Sequence, residues 1–479
     1  MFKKKYLPFF KAALFITLLG SSFYVKGQTK SNKPNIIIIL ADDLGWGDVG
    51  FHGSEIKTPN LDAFSKEGVI LSHFYTAPIC SPTRAGLLTG VYPNRFGLRE
   101  TVVPPWSEFG VDLNQKLMPQ YLAEIGYKNR VMLGKWHLGH SKKSFLPLER
   151  GFTHFYGHYN GAIDYFTHKR EGEIDWHNDW ETSYDNGYST DLITNEAVSC
   201  IKKFSKEAPF LMYVAYNAPH SPLQAKEEDL IEYGYDDSKP KFSNESDGYG
   251  GQGKGNTKRQ TYSAMVTNMD RGIGKILDAL KEAGVEENTL VLFFSDNGAA
   301  PNEGSSSGNL RGKKFTEWDG GVRSPAIVRW PKAFKGGRTV NYVMGYIDVL
   351  PTLLNAAEAN DLPDNANLDG INMLPVLKGK EVISDRNFYL GYGSIINTNW
   401  KLVRANAGNS RMHNTEDLLF NIRKDPYEKN DIKATHPKIY EELLIAVNAF
   451  DSIKPKKAVS PYGQGRKGYK APKNWMIKK

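Results

Sequence analysis

Pro34-Asn35-Ile36-Ile37-Ile38-Ile39-Leu40-Ala41-Asp42-Asp43 is the stretch on which the reading of the fold turns. From Ile36 to Leu40 no polar residue interrupts the apolar run, so neither face of the segment can meet water. That is the pattern of a strand buried on both faces of a parallel sheet, not of a half-exposed strand that alternates. The run ends in two adjacent carboxylates. Open α/β sheets bind their ligands outside the carboxyl ends of their strands. Like charges so close raise one pKa unless a cation compensates, and a hard divalent metal with oxygen ligands is the natural partner. The plainer alternative, an Asp pair opening a helix, is decided by the other strands.

Asn288 to Ser295 repeats the arrangement: a buried run followed by Asp296-Asn297-Gly298. Asp42, Asp43, Asp296 and Asn297 form a set of carboxylate and amide oxygens that suits calcium, with magnesium possible, and lacks the soft or imidazole ligands of zinc or copper. Two further apolar runs end in cations. Lys128 to Leu133 leads into Gly134-Lys135-Trp136-His137, and Pro209 to Tyr216 leads into Asn217-Ala218-Pro219-His220. On an extended segment Lys135 and His137 face one way and Trp136 the other. Segments of helical pattern, Thr58 to Glu67, Gln115 to Gly126, Thr190 to Glu207 and Thr261 to Ala283, alternate with these strands. The expected class is therefore α/β, a large mixed, mostly parallel sheet flanked by helices. After Pro351 the pattern changes. Short strands near Arg386 to Tyr392, Trp400 to Arg404 and Asp417 to Asn421 precede a helix from His436 to Phe450, a smaller C-terminal antiparallel sheet plus helix.

Between the first two landmarks lies Cys80-Ser81-Pro82-Thr83-Arg84-Ala85-Gly86-Leu87-Leu88-Thr89-Gly90. A proline that can open a helix, a thiol beside it and an arginine one turn on place a nucleophile-sized group at a positive helix end. Read alone, Cys80 could equally be a buried apolar residue or pair with Cys200, the second of two cysteines. The spacing Cys-x-Pro-x-Arg, then four residues and Thr-Gly, resembles the signature of the type I sulfatases, and the likeness runs from about Pro34 to the C-terminal region. The resemblance implies an alkaline-phosphatase-like sulfatase fold, with a catalytic domain over 28–375 and an α+β subdomain over 376–453. It also implies that a maturation enzyme oxidises Cys80 to formylglycine, an aldehyde that hydrates to a geminal diol. One diol oxygen attacks sulfur, and loss of the other's proton expels sulfate. By the same resemblance Asp42, Asp43, Asp296 and Asn297 bind calcium or magnesium together with the modified Cys80. Arg84, Lys135, His137, His220 and Lys314 complete the catalytic set, with His220 near the ester oxygen. Lys314, not Lys313, is the match when counted back from Gly320-Gly321.

Specificity is expected in two inserts. Gly151 to Gly187 is crowded with aromatic and His residues, from which Tyr165 and His168, with Trp318 from the Lys314 loop, are the expected sugar-binding residues. Gly234 to Thr257 reads as a flexible loop. Together with Lys135-Trp136-His137-Leu138, His220-Ser221-Pro222-Leu223-Gln224 and Trp318-Asp319-Gly320-Gly321, the Gly151 to Gly187 insert resembles the arylsulfatase B type acting on N-acetylgalactosamine sulfate, so a sulfated carbohydrate is the expected partner.

Net charge is +8, but five Lys fall in the first 27 residues and nine Lys or Arg, with no acid, in 454–479, which leaves the body acidic. Basicity confined to the ends speaks against nucleic acid. The basic tail 454–479 is expected to be a solvated end, or else to dock on an anionic glycan. Lys3-Lys4-Lys5, an apolar run through Leu19 and small residues to Gly27 resemble a cleaved secretory signal, 1–27. Its apolar run falls short of the roughly 20 residues of a spanning helix. The expected location is periplasmic or secreted, without a membrane anchor. Two other classes stay open at this point: a phosphoesterase of the alkaline-phosphatase-like superfamily, and an inactive glycan-binding relative.

Overall fold

The computed structural model describes residues 1–2, 32–207, 209–243, 249–358, 367–380 and 386–477. The chain divides into the units Met1–Asn32 and Lys33–Lys479. The secretory-signal reading lies outside the described residues.

The second unit is built on a ten-stranded sheet. Its strands in chain order are β1 (Asn35–Ala41), β2 (Val69–Leu71), β3 (Asn129–Lys135), β4 (His154–His158), β5 (His177–Asn178), β6 (Glu181–Thr182), β7 (Phe210–Ala215), β8 (Thr289–Ser295), β9 (Ala326–Arg329) and β10 (Arg338–Val340). They lie in the order β10-β2-β9-β8-β1-β7-β3-β4-β5-β6. The five central strands from β8 to β4 are parallel. β9 runs antiparallel between β8 and β2, and β5 and β6 extend the far edge antiparallel.

β1 shows why this sequence makes a doubly covered sheet. All of its residues are buried. Ile36, Ile38 and Leu40 point into one apolar cluster, while Ile37, Ile39 and Ala41 point into another on the opposite face. Each buried Ile contributes about 1.5–3 kcal/mol by leaving water. One face is covered by α1 (Pro59–Glu67), α3 (Ser189–Phe204) and α4 (Lys258–Glu282), and the other by α2 (Cys80–Thr89) and α5 (Val349–Ala356).

A second sheet, antiparallel, orders β11 (Phe388–Gly391), β12 (Ser394–Ile396), β13 (Trp400–Val403) and β14 (Leu418–Asn421) consecutively, with α6 (Pro437–Asp451) against it. Its apolar face belongs to the same buried cluster as α2 and α5.

Two expectations are corrected. The aromatic insert is more than a specificity element, although its Arg170 and Glu171 do reach the cleft. It supplies β4, the fifth parallel strand, and Phe155, Tyr159 and Trp176 are buried. The basic tail does not trail into solvent either. Val459 N donates to Gly97 O, Trp475 is fully buried, and its indole N donates to Arg170 O. Two apolar residues within the charge run thus anchor the tail against the body.

Candidate active site

Because β8, β1, β7 and β3 are parallel and adjacent, Asp296-Asn297, Asp42-Asp43, Asn217 to His220 and Lys135 to His137 emerge side by side at one sheet edge. From the face of the sheet, α2 points its N-terminus at the same place, with Cys80 as its first residue. The described ligand atoms of Asp42, Asp43 and Asp296 lie within 4.8 Å of one another, as do those of Asp42, Cys80 and His220.

The charges are arranged in pairs. Arg84 Nη2 stands 2.8 Å from Asp296 Oδ2, and another of its nitrogens donates to Lys135 O at 2.9 Å. Lys135 Nζ donates to Asp42 Oδ2. Lys314 Nζ donates to Asp43 Oδ1 at 2.6 Å, and Asn297 Nδ2 donates to the same oxygen at 2.8 Å. Lys314 is buried while Lys313 is exposed. Asp43 adopts a left-handed φ of 67°, a conformation Asp tolerates better than most residues, and this turns its carboxylate back into the site. The turn is held from behind by Asp48, which accepts from Gly45 N, Tyr262 Oη and Ser306 N.

The residues present fit a divalent cation. Although buried, Asp42 Oδ1 and Asn297 Oδ1 accept no hydrogen bond among the described residues, and buried oxygens are seldom left so. Both belong to a hard oxygen set.

Titration is displaced at several of these groups. Burial raises Asp43, but Lys314 and His220 outweigh it and hold the carboxyl well below the usual range. Asp296 is pushed up to about 6 by burial and by Asp42 beside it, against Arg84 and Lys135. Burial also raises the Cys80 thiol, partly offset by Lys135 and Lys314. His220 falls to about 3 through burial and the two lysines, with Asp43 opposing. His137 falls well below its ordinary value through burial, Lys135 and Arg84. His137 Nε2 contacts Val103 O at 3.1 Å, leaving Nδ1 buried and without a partner among the described residues. Gly161 is needed beside this ring, since a Cβ there would come within 2.4 Å of it.

Above these groups opens a cleft of about 800 Å³, lined at its floor by Cys80, His137, His220 and Lys314. Its walls include Arg99, Arg170, Tyr249, Glu317, Tyr392, Asn409, Arg411, Tyr462 and Arg466. Tyr165, His168 and Trp318 are not among the lining residues. The Tyr165 hydroxyl donates to Asn217 O and His220 O from beneath, so it positions the His220 turn. His168 stacks on Trp176, and Trp318 lies under the Arg311 guanidinium. Of the Gly-rich stretch 234–257, residues 244–248 lie outside the described residues, and Tyr249 reaches the cleft. Arg170 lies in a short strand of the 151–187 insert, while Arg99, Arg411 and Arg466 sit on separate loops with no shared spacing, so the sequence offered no pattern by which to find those three. Cys80 and Cys200 are both free.

A doubly covered α/β sheet whose strand ends gather three carboxylates, three fixed cations and a helix-borne nucleophile position is the site of a hydrolase for anionic esters. The model of the family described as Sulfatase matches residues 34–359, and the chain belongs to that family; it is a sulfuric ester hydrolase. Arylsulfatase J of Mus musculus is 33% identical over 89% of this chain and 77% of that protein. N-acetylgalactosamine-6-sulfatase of Homo sapiens is 31% identical over 87% of this chain and 84% of that protein. Among solved structures, Ps i-CgsB in complex with k-i-k-neocarrahexaose aligns with a TM-score of 0.77 at 32% identity, over 88% of this chain and 94% of that one.

Proposed function

We propose that the chain is an exported sulfatase that removes sulfate from carbohydrates, using a formylglycine formed from Cys80 and one divalent metal, calcium before magnesium. The observation that carries this reading is the convergence at Cys80. The residue opens α2, is buried within reach of the charges of Lys135 and Lys314, and its sulfur lies within 4.8 Å of ligand atoms of Asp42 and His220. When present, the metal neutralises the carboxylates and polarises a sulfate oxygen, and the formylglycine hydrate supplies the two oxygens that transfer and then release sulfate.

The remaining work falls to side chains already in place. Asp42, Asp43, Asp296 and Asn297 would hold the metal. Arg84 and Lys135 orient the diol, and Lys314 faces the substrate sulfate. His137 is neutral and offers a lone pair at Nδ1, which suits a base that takes the diol proton. His220 stands 3.6 Å from Asp43, where it is also neutral. To give a proton to the leaving alcohol it must gain one, and the negative charge of a bound sulfate raises its pKa in that direction.

Cys80, Pro82, Arg84 and Gly86 are all buried in the folded chain. A maturation enzyme that reads them must therefore act before the chain folds. A carbohydrate substrate is supported by the names of the relatives, by the saccharide in the related complex, and by a cleft walled with Tyr249, Tyr392 and Tyr462. A galactose-configured or N-acetylgalactosamine residue is the sugar proposed. Export rests on the pattern of residues 1–27; among the described residues no helix is long and apolar enough to cross a membrane. The test is peptide mass analysis of the active protein. Position 80 should have lost the thiol sulfur and gained an aldehyde oxygen, and full activity with an intact thiol would exclude the proposal.

A further inference from the structure

The wall arginines divide into two kinds. Arg99 pairs with Asp451 at 2.6 Å, and Arg170 is held by Glu171 and Tyr249. Arg411 and Arg466 have no carboxylate within 4.0 Å among the described residues. Each lies instead on an aromatic face: Arg411 with its guanidinium carbon 4.1 Å from the Phe315 ring centre, Arg466 at 5.2 Å from that of Trp106. A guanidinium stacked in this way keeps its planar fork of donors free, the geometry that grips carboxylate or sulfate oxygens two at a time.

Both supports are fixed. Phe315 follows Lys314 directly, adopts a left-handed φ of 75°, and donates its N–H to Pro78 O two residues before Cys80. The Trp106 indole N donates to Tyr462 O at 2.7 Å. The segment bearing Arg466 is held at one end by Val459 on Gly97 and at the other by Asn474, whose N–H donates to Glu173 at 2.9 Å. The basic tail is therefore a wall of the cleft.

We infer that Arg411 and Arg466, both on the wall of the cleft, give it anion-binding capacity beyond that of Lys314. The cleft would receive a second negative group of the same saccharide while the scissile sulfate lies on Lys314. This rests on the sulfatase reading and narrows its substrate class to saccharides with at least two anionic groups. The second group is a sulfate ester or a uronate carboxylate, which share the two-oxygen edge that the forks fit.

The test uses matured full-length enzyme and the variants Arg411→Gln, Arg466→Gln and Arg466→Lys, with melting temperatures measured to show that each folds. Three substrates are compared: a monosulfated monosaccharide, a disulfated disaccharide, and a disaccharide of one sulfate and one uronate. For wild type, kcat/KM should favour at least one dianionic substrate. Each Gln variant should reduce that preference about tenfold or more through KM, the size of one lost charge-assisted hydrogen bond. Arg466→Lys should restore part of it. The preferred disaccharide identifies the second group as sulfate or uronate. Equal losses on all three substrates, or no change in preference, would overturn that role for the two arginines while leaving the sulfatase reading intact. Wild type that releases sulfate from none of them would instead count against the sulfatase reading.

Discussion

Lys314 and Lys313 are neighbours in sequence with different surroundings: one donates to Asp43 inside the pocket, and the other is exposed. Lys314→Ala should lower kcat/KM by about a hundredfold or more, the scale of removing one donor that stabilises developing charge. Lys313→Ala should change it little. Steady-state kinetics on a sulfate ester decides between them. Glu317 offers a pH test. Burial raises its carboxyl to about 7, against a hydrogen bond from Asn409 and the charges of Arg99 and Lys401, with the hydroxyls of Tyr389 and Tyr392 also close enough to interact. Below about 7 the group is neutral, and above it adds a negative charge to a cleft that binds anions. KM should therefore rise as pH climbs through 7, and Glu317→Gln should flatten that rise. At this scale the groups that meet at the sheet end were legible as neighbours, because Asp42, Asp43, Lys135, His137, His220 and Asp296 each follow a long apolar run, Arg84 belongs to the Cys80 motif and Lys314 was reached by the count back from Gly320-Gly321. Tyr165, His168 and Trp318 were misplaced because an aromatic side chain suits a buried core as well as a sugar face. Only packing tells the two apart.

Two elements carry the site and can be broken separately. In α2, Gly86 lies against Tyr346, where an added Cβ would come within 2.1 Å of the ring. Gly86→Ala should cost about 1–3 kcal/mol by overpacking, measured by denaturant unfolding. The loop that bears Lys314 is tied to the small sheet by a buried network. Lys401 on β13 donates to Asp319 at 2.7 Å and pairs with Glu428 at 2.7 Å, while Asp319 N donates to Glu428 at 2.9 Å. Lys401→Met leaves Glu428 buried without its cation and Asp319 with Arg323 alone, 3.4 Å away, and should destabilise the protein by about 3–5 kcal/mol. The long elements were readable from pattern: β1, β3, β7 and β8 match their apolar runs, and α1, α3, α4 and α6 fall within a few residues of the expected segments. The strands β2, β5, β6, β9 and β10 span only two to four residues each and were not anticipated. So short a run has no period to read, and its pairing is set by neighbours distant in sequence.

For the molecule as a whole, charge was the least reliable guide. The basic tail looked solvated because nine cations dominate it, yet Val459 and Trp475 fasten it along a wall of the cleft. Deleting 456–479 should lower the melting temperature by several degrees, since a fully buried Trp alone contributes about 3 kcal/mol or more. The class of the sheet, by contrast, followed from one uninterrupted run, because burial on both faces is a property of the whole layered architecture recorded in a single strand. The central claim is that this architecture presents a matured Cys80 to a sulfate ester on a saccharide. It is tested most directly by incubating calcium-loaded, matured enzyme with defined sulfated saccharides and phosphate monoesters and following the release of each anion. Sulfate release that disappears in Cys80→Ala and Asp296→Ala is the expected result. Phosphate release without sulfate release, or undiminished sulfate release by Cys80→Ala, would contradict it.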